Sequence, residues 1–260
     1  MSTGIGVGIA GQVYDLKPGV PGGGGGSSFS NEYAMNFIPS SSQFLALSST
    51  PLLGTSGEGA WTISVWIYMN NIPVSNRRIC DINSGGSSSP ADRFVLFYKS
   101  STNLLNVSGA WTDNTSFSLA AQTWYNVIYS YDGNAGTAAN ARFVINGTNS
   151  DSKSNATWNQ NNITGTSFIG KNAAGGYWDG ALDEFSIWNK YLTDSECIEL
   201  YNAGSPIDLS SSSMAANLQH WWRMGDPTGP ATYPTILDSR GSINATMTGM
   251  TSANIITNVP

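Results

Sequence analysis

The chain has 260 residues, 40% hydrophobic and 11% aromatic, enough to close a sizeable core in one or two domains. Only 11% of residues are charged, and 11 Lys and Arg against 17 Asp and Glu give a net charge of -6. So few cations cannot neutralise a run of phosphates, which argues against nucleic acid and against an anionic membrane as partners.

No stretch approaches the roughly 20 apolar residues of a membrane helix, and the first residues lack the basic and then apolar run of a secretory leader. The chain is therefore read as neither membrane-spanning nor signal-bearing. Its abundance of Gly, Ser, Asn and Thr suits short strands joined by many turns and points to an all-β fold. Triplets such as Asn106-Val107-Ser108 and Asn162-Ile163-Thr164 match glycan acceptor sites, but without a leader chance accounts for them.

Residues 1–30 come first, with Gly4-Ile5-Gly6-Val7-Gly8-Ile9-Ala10-Gly11 running into Pro18, Pro21 and Gly22 to Gly26. Glycine loses the most backbone entropy on ordering, so this segment reads as an arm and a hinge that order by packing on other subunits. Residues 31–260 read as one sandwich, with 31–204 as its core and 205–260 supplying strands that complete it. In Trp61-Thr62-Ile63-Ser64-Val65-Trp66-Ile67-Tyr68-Met69 the odd positions are apolar and the even ones begin polar, the period-two pattern of a strand. Trp66 and Tyr68 make the second face partly apolar, so something must cover it. Further strands are expected at Arg93–Tyr98, Leu104–Val107, Trp124–Tyr131 and Arg142–Ile145, with tight turns at Asp132-Gly133 and Asn146-Gly147.

One helix is expected after Leu192, with Thr193 as N-cap, Glu196 as its capping-box partner, and Gly204 and Pro206 as stops. Ile198, Leu200 or Tyr201 would pack it onto a sheet edge. Cys80 and Cys197 lie in apolar contexts and are expected reduced and buried. After the linker Ser210 to Ser213, strands are expected at Leu218–Met224 and Ile243–Met247.

The order of these motifs resembles laminin-G-like domains of the concanavalin A-like jelly-roll class. Trp61–Trp66, then Trp124-Tyr125-Asn126-Val127 leading to Tyr131-Asp132-Gly133, look like successive strands of that family. Ser167-Phe168-Ile169-Gly170, Gly180 to Asn189 and Leu192 to Glu196 resemble its last strands and short terminal helix. The resemblance covers about Asn31 to Gly204. Trp222-Arg223-Met224-Gly225-Asp226 and Ile236-Leu237-Asp238-Ser239 look like an extension carried by such domains in bacteriophage and marine microbial surface proteins.

The resemblance implies a jelly-roll sandwich that binds carbohydrate or protein, often with calcium at the rim, and has hydrolase relatives. The hydrolases carry Glu-x-Asp-x-x-Glu on one strand, and no such triplet occurs here. Asp183-Glu184 is the nearest acidic pair, and adjacent strand residues would point to opposite faces. No catalytic residue is assigned. Calcium wants several carboxylates among its oxygens, yet this chain has Lys171-Asn172-Ala173-Ala174 and Ser41-Ser42-Gln43 where relatives carry acids. Asp92, Asp113 and Asp179 are left as loop acids, so no metal and no cofactor is expected. His220, the single histidine, excludes multi-His metal centres and reads as a structural ring beside Trp221. Gly165 to Lys171 mimics a phosphate loop but lacks the Ser or Thr that must follow.

Aromatic side chains remain, because sugars stack their C–H faces on Trp or Tyr while amides and carboxylates take the hydroxyls. Trp111 with Asp113, Trp158 with Asn159, and Trp178 with Asp179 fall in expected loops and are the candidate ligand-binding residues. Each of these tryptophans could instead plug the sheet mouth, and for any single one the plug weighs slightly more. The first functional reading is a non-enzymatic virion structural protein in a homo- or hetero-oligomeric assembly. Its arm would hold other virion proteins while its sandwich, on the virion surface, meets cell-surface glycans. The alternative is a free, extracellular carbohydrate-binding module, and a sandwich glycoside hydrolase comes third.

Overall fold

The structure, a computed structural model, describes residues 29–54, 59–84, 92–109, 112–133, 139–156, 160 and 163–260. The arm, apart from Phe29 and Ser30, lies outside them. In chain order the strands are β1 Ala34–Phe37, β2 Phe44–Leu47, β3 Trp61–Met69, β4 Arg77–Ser84, β5 Phe94–Lys99, β6 Leu104–Gly109, β7 Thr112–Ser118 and β8 Trp124–Tyr131. Then come β9 Ala139–Ile145, β10 Thr148–Ala156, β11 Thr166–Ile169, β12 Gly180–Trp188, helix α1 Asp194–Tyr201, β13 Leu218–Trp222, β14 Thr235–Ile236, β15 Ala245–Thr248 and β16 Ile255–Ile256.

They form two antiparallel sheets. The first has the order β10-β9-β8-β3-β12-β1-β16, with β13 also paired to β12, and the second β14-β15-β2-β11-β4-β5-β6-β7. This is the all-β sandwich, with one short helix, that the alternating pattern implies. The odd positions of β3 do face the core. Trp61, Ile63, Val65, Ile67 and Met69 pack with Val127 and Tyr129 of β8 and against Leu45, Cys80, Ile82, Leu96 and Ile169 of the other sheet. Between β9 and β10, Asn146 and Gly147 take φ of 51° and 72°, the pair of positive values that a two-residue type I′ hairpin turn requires.

The outer face of the first sheet is covered by a second apolar cluster. There Ile128, Val144 and Trp188 of the sheet meet Leu192, Cys197, Leu200, Leu209, Met214, Leu218 and Trp221. Trp66, the aromatic residue that needed a cover, stacks on Tyr201 at 6.0 Å between ring centres. Under this cover Thr62 meets Ser130 at 2.7 Å and donates to the Lys190 carbonyl, so the buried hydroxyls are paired.

Helix α1 begins as its local chemistry dictates. The Thr193 hydroxyl accepts from the Glu196 N–H, and the Glu196 carboxylate accepts from the Thr193 N–H. The helix ends earlier than its expected Gly204 and Pro206 stops, because Asn202 takes the left-handed conformation at φ 41°. Its buried face is Cys197 and Leu200, while Ile198 is 57% exposed. Both cysteines are free and buried, and burial pushes their thiols up, Cys197 to about 11.

Residues beyond α1 enter both sheets. β13 pairs with the second half of β12 and β16 with β1, while β14 and β15 extend the other sheet beside β2. β12 changes neighbour midway, with β1 beside Gly180 to Leu182 and β13 beside Phe185 to Trp188. A bulge sits between these halves, where Glu184 takes φ of 48° and the register with β3 shifts.

Candidate functional site

With the first sheet covered, the outer face of the second is the less covered of the two among the described residues, with Phe44, Ala46, Phe97 and Phe168 half-buried although Asp81, Val95 and Asn106 on it are buried. Its outward positions follow from the register. Phe168 lies between Ala46 and Asp81, Thr248 beside Phe44, Arg78 beside Phe97, and Phe97 beside Asn106. The residues between these, such as Leu45, Cys80, Leu96 and Ile169, point into the core.

Four half-buried rings therefore line this face, Phe44, Phe97, Phe168 and Tyr177. Phe44 and Phe168 meet edge to face at 5.6 Å, and Tyr177, from the loop after β11, lies 6.4 Å from Phe44. The Lys171 ammonium sits 3.7 Å above the Phe44 ring and 4.2 Å above Phe168, and the Arg78 guanidinium lies 4.5 Å over Phe97. Asp81, wholly buried, receives both arms of Arg93 at 2.8 and 2.6 Å. That hydrogen-bonded pairing raises the Arg93 pKa and fixes its fork on the sheet. The Ala173 N–H also donates to Asp81 at 3.3 Å, which ties the loop after β11 onto the face. Rings for C–H faces and polar hydrogen-bonding groups thus share one surface, as sugar recognition requires.

The candidate residues from the sequence are not brought together. Trp178 is a correction: its ring is fully buried in the inter-sheet core, with its N–H given to the Ala181 carbonyl at 3.3 Å, so it offers no face to a ligand. Asp113 is a second correction, because Thr112–Ser118 is a strand and not a loop, and Asp113 points inward. There it accepts from the Tyr129 hydroxyl at 3.3 Å and shares a hydrogen bond with Asp151. Burial and that second carboxyl push Asp113 up to about 6. Asp179 is half-buried and accepts from the Asn70 amide at 3.2 Å. Trp111, Trp158 and Asn159 lie outside the described residues.

The expected opposition of Asp183 and Glu184 is also corrected. Leu182 and Phe185 both belong to the core, so the bulge sends the two acids between them to the other side. Asp183 accepts from the Asn31 amide at 3.0 Å, and Glu184 accepts from the Trp221 indole and from Arg223. Burial, then mutual repulsion, raises Asp183 far above the carboxylate range. Burial takes Glu184 up to about 7 against the pull of Arg223. Both are at most 3% exposed and hydrogen-bonded, so neither is presented to a glycosidic bond.

Among the described residues no three His, Cys, Asp or Glu side chains are arranged to hold a metal ion. Of the three loop acids, Asp113 is turned inward, Asp179 is tied to Asn70 and Asp92 is buried, so the structure does not bring them together at a rim. His220 is bound into the fold, stacked on Trp222 at 5.5 Å with its Nδ1 2.6 Å from Asp238. Burial opposes the charge on Asp238, yet hydrogen bonds from His220, Trp221 N–H and Gly241 N–H bring it down to about 2. No described helix is long and apolar enough to cross a membrane.

Residues outside the sequence candidates thus line the open face. Phe44, Arg78, Phe97 and Phe168 gave no early signal because each sits in a strand or loop of mixed composition, and only the register shows that they share a surface.

No curated protein matches the chain. Among solved structures it is similar to a provisionally assigned carbohydrate binding protein from Bacteroides ovatus, at 20% identity and a TM-score of 0.63, over 89% of this chain and 62% of that one. The chain thus spans about three-fifths of that protein's length. It is also similar to a heptameric SAP-like pentraxin from Limulus polyphemus, at 15% identity and a TM-score of 0.49, over 70% of this chain and 90% of that one. At these identities the first likeness is one of fold. A family model of laminin-G type, described as concanavalin A-like lectin/glucanases superfamily, matches residues 39–197. With more than half its length so matched, the chain belongs to the concanavalin A-like lectin/glucanase superfamily, in its laminin-G-like branch.

Proposed function

We propose that this protein is a carbohydrate-binding module without catalytic activity, exposed outside the cell or on a particle surface, that lays a glycan across the outer face of its second sheet. The carrying observation is that Phe44, Phe168 and Phe97 are half-buried on this face beside Arg78 and Lys171, whereas among the described outer rings of the other sheet Trp66 and Trp188 lie under the cover and Tyr68 and Trp124 are half-buried without a cation over them. Half-buried rings grouped with cations on one face offer a sugar both a stacking edge and charged donors. The buried, hydrogen-bonded state of Asp183 and Glu184 supports binding over hydrolysis. The carbohydrate binding protein from Bacteroides ovatus supports the ligand class, on fold grounds.

A glycan array with the wild type and the Phe44→Ala and Phe168→Ala variants tests the reading. Binding should fall about fivefold in each variant, since stacking of this kind is worth about 1 kcal/mol per ring. Unchanged binding in both would move the site elsewhere, and parallel Trp111→Ala and Trp158→Ala variants examine the loop rim. The Gly-rich run of residues 1–30 favours a narrower version, in which the module is displayed on a virion through that arm. Deleting those residues should then leave a folded protein that no longer joins particles, and continued incorporation would refute the narrower version.

A further inference from the structure

The open face carries the opposite charge to the chain. The chain has 11 Lys and Arg and a net charge of -6, yet Arg78, Arg93, Lys99 and Lys171 all stand on or over the outer face of the second sheet. Arg78 and Lys171 are placed there by their rings, Arg93 by Asp81, and Lys99 by alternation with Val95 and Phe97. Among the outward positions of the described strands of this sheet, Asp81 is the one carboxylate, and Arg93 occupies both of its oxygens. Away from this face Arg142 pairs with Asp194, Lys190 with Glu196 and Arg223 with Glu184, Arg77 and Arg240 donate to backbone carbonyls, and among the described residues Lys153 stands alone on β10.

Arg78 and Lys171 form no ion pair among the described residues. The Nε of Arg78 is buried and has no hydrogen-bond acceptor in the protein. The Nε atoms of Arg77 and Arg142 are in the same state, so what sets Arg78 apart is this donor together with the missing carboxylate partner on an outward-facing guanidinium. Burial lowers the Arg78 pKa, Asp81 offsets part of this, and Arg93 adds like-charge repulsion. An acceptor carrying negative charge at the guanidinium would relieve the like-charge repulsion from Arg93. A simple solvated face accounts for Lys171, whose stem can lie along rings, whereas Arg78 stays partly desolvated beside Arg93 without a carboxylate of its own.

We propose that the open face recognises an acidic polysaccharide, with carboxylate or sulfate groups held by Arg78 and Lys171 while the sugar rings lie on Phe44, Phe168 and Phe97. This rests on the carbohydrate reading above and narrows it to a class of glycan. The planar guanidinium fork suits a carboxylate or sulfate edge, and Lys171 supplies a point charge. Lys171 sits over β2 and β11 and Arg78 over β5, two to three strands away in the order β2-β11-β4-β5, so at the usual strand spacing the two charges stand about 10–14 Å apart across the sheet, a step on the scale of two or three sugar rings. A nucleic-acid duplex is a poorer match, because it carries about one charge per 1.7 Å, far denser than two cations set this far apart can neutralise.

The test uses the full chain in calorimetric titrations against polygalacturonate, dextran sulfate, neutral dextran and a random-sequence DNA duplex. At least one acidic polysaccharide should bind tenfold or more tighter than dextran. Its affinity should drop about tenfold between roughly 0.05 and 0.2 M salt, as expected when about two charges are neutralised. Arg78→Gln combined with Lys171→Gln should bring acidic binding down to the neutral level, and Lys153→Gln on β10 of the other sheet should leave it intact. If the double variant unfolds, Lys171→Gln alone, on a half-buried surface residue, should still lower acidic binding several-fold. The polymer that binds tighter tells carboxylate from sulfate. Equal binding of acidic and neutral polymers, an unaffected double variant, or DNA binding as tight as the acidic polysaccharide would each overturn the inference. Loss of neutral binding in Phe44→Ala with the charge variants silent would sink this inference alone, whereas failure of every polymer to bind would sink the carbohydrate reading with it.

Discussion

The seam between the free edges of the two sheets makes a quantitative prediction. β7 and β10 lie against each other there, and Asp113 shares a hydrogen bond with Asp151 beside the Tyr129 hydroxyl. Two carboxyls so joined hold one proton, and Asp113 is raised from 3.8 to about 6, first by burial and then by Asp151. The folded state therefore binds the proton more tightly than the unfolded chain. Its contribution is fully present below about pH 4 and is lost as pH rises toward about 6. A carboxyl moved that far corresponds to at most about 3 kcal/mol, and water at the seam reduces the expected loss to about 1–2 kcal/mol. Asp113→Asn mimics the protonated form and should remove that part of the pH dependence. Urea denaturation of wild type and variant at about pH 4.5 and 7.5 measures it. Glu184, Asp183 and Asp226 are raised in the same sense, so both proteins should be more stable at the lower pH and only the difference between their slopes belongs to the seam. Equal slopes in the two proteins would refute the shared proton.

Two further substitutions probe packing and capping. Trp178→Ala should cost about 3–5 kcal/mol in urea denaturation, the range for deleting a fully buried Trp, and a loss under about 1 kcal/mol would contradict its place in the core. Thr193→Ala removes the hydroxyl that accepts from Glu196 N–H and should cost about 1 kcal/mol by the same assay, with no effect on glycan binding.

Local chemistry was legible in the sequence, and chemistry that depends on distant partners was not. β3 and β8 could be read because their apolar residues alternate or run together, and the Thr193 cap because its partner Glu196 lies three residues on. β4 was hidden by Arg77, Arg78, Asp81 and Asn83, and two of these, Arg78 and Asp81, belong to the open face. The property that makes the face a candidate site thus disguises its strand. β7 and β10 were hidden because they are polar edge strands, and even the inward positions of β7 are Asp113 and Thr115. Trp178 sits in Gly175-Gly176-Tyr177-Trp178-Asp179, which has the composition of a loop. Only its insertion under the sheet, set by contacts far along the chain, makes it core. Nothing in the letters Asp183-Glu184 announces a bulge, since a positive φ at Glu is imposed by the exchange of β1 for β13 alongside β12.

The same exchange explains why the family match and the folded unit end at different places. The match stops at residue 197, but Trp222, Ala245, Met247 and Ile255 are buried in the inter-sheet core, and Leu209, Met214, Leu218 and Trp221 cover the first sheet. A chain cut after α1 would expose the outer face of that sheet and leave β2 and the second half of β12 with unpaired edges. Such a fragment would present two apolar outer faces instead of one, and its binding would report the new surface as much as the native one. The C-terminal residues thus set which surfaces stay uncovered: by covering Trp66 and Trp188 on one sheet they leave the rings of the other, with Arg78 and Lys171 above them, as the face proposed for a glycan.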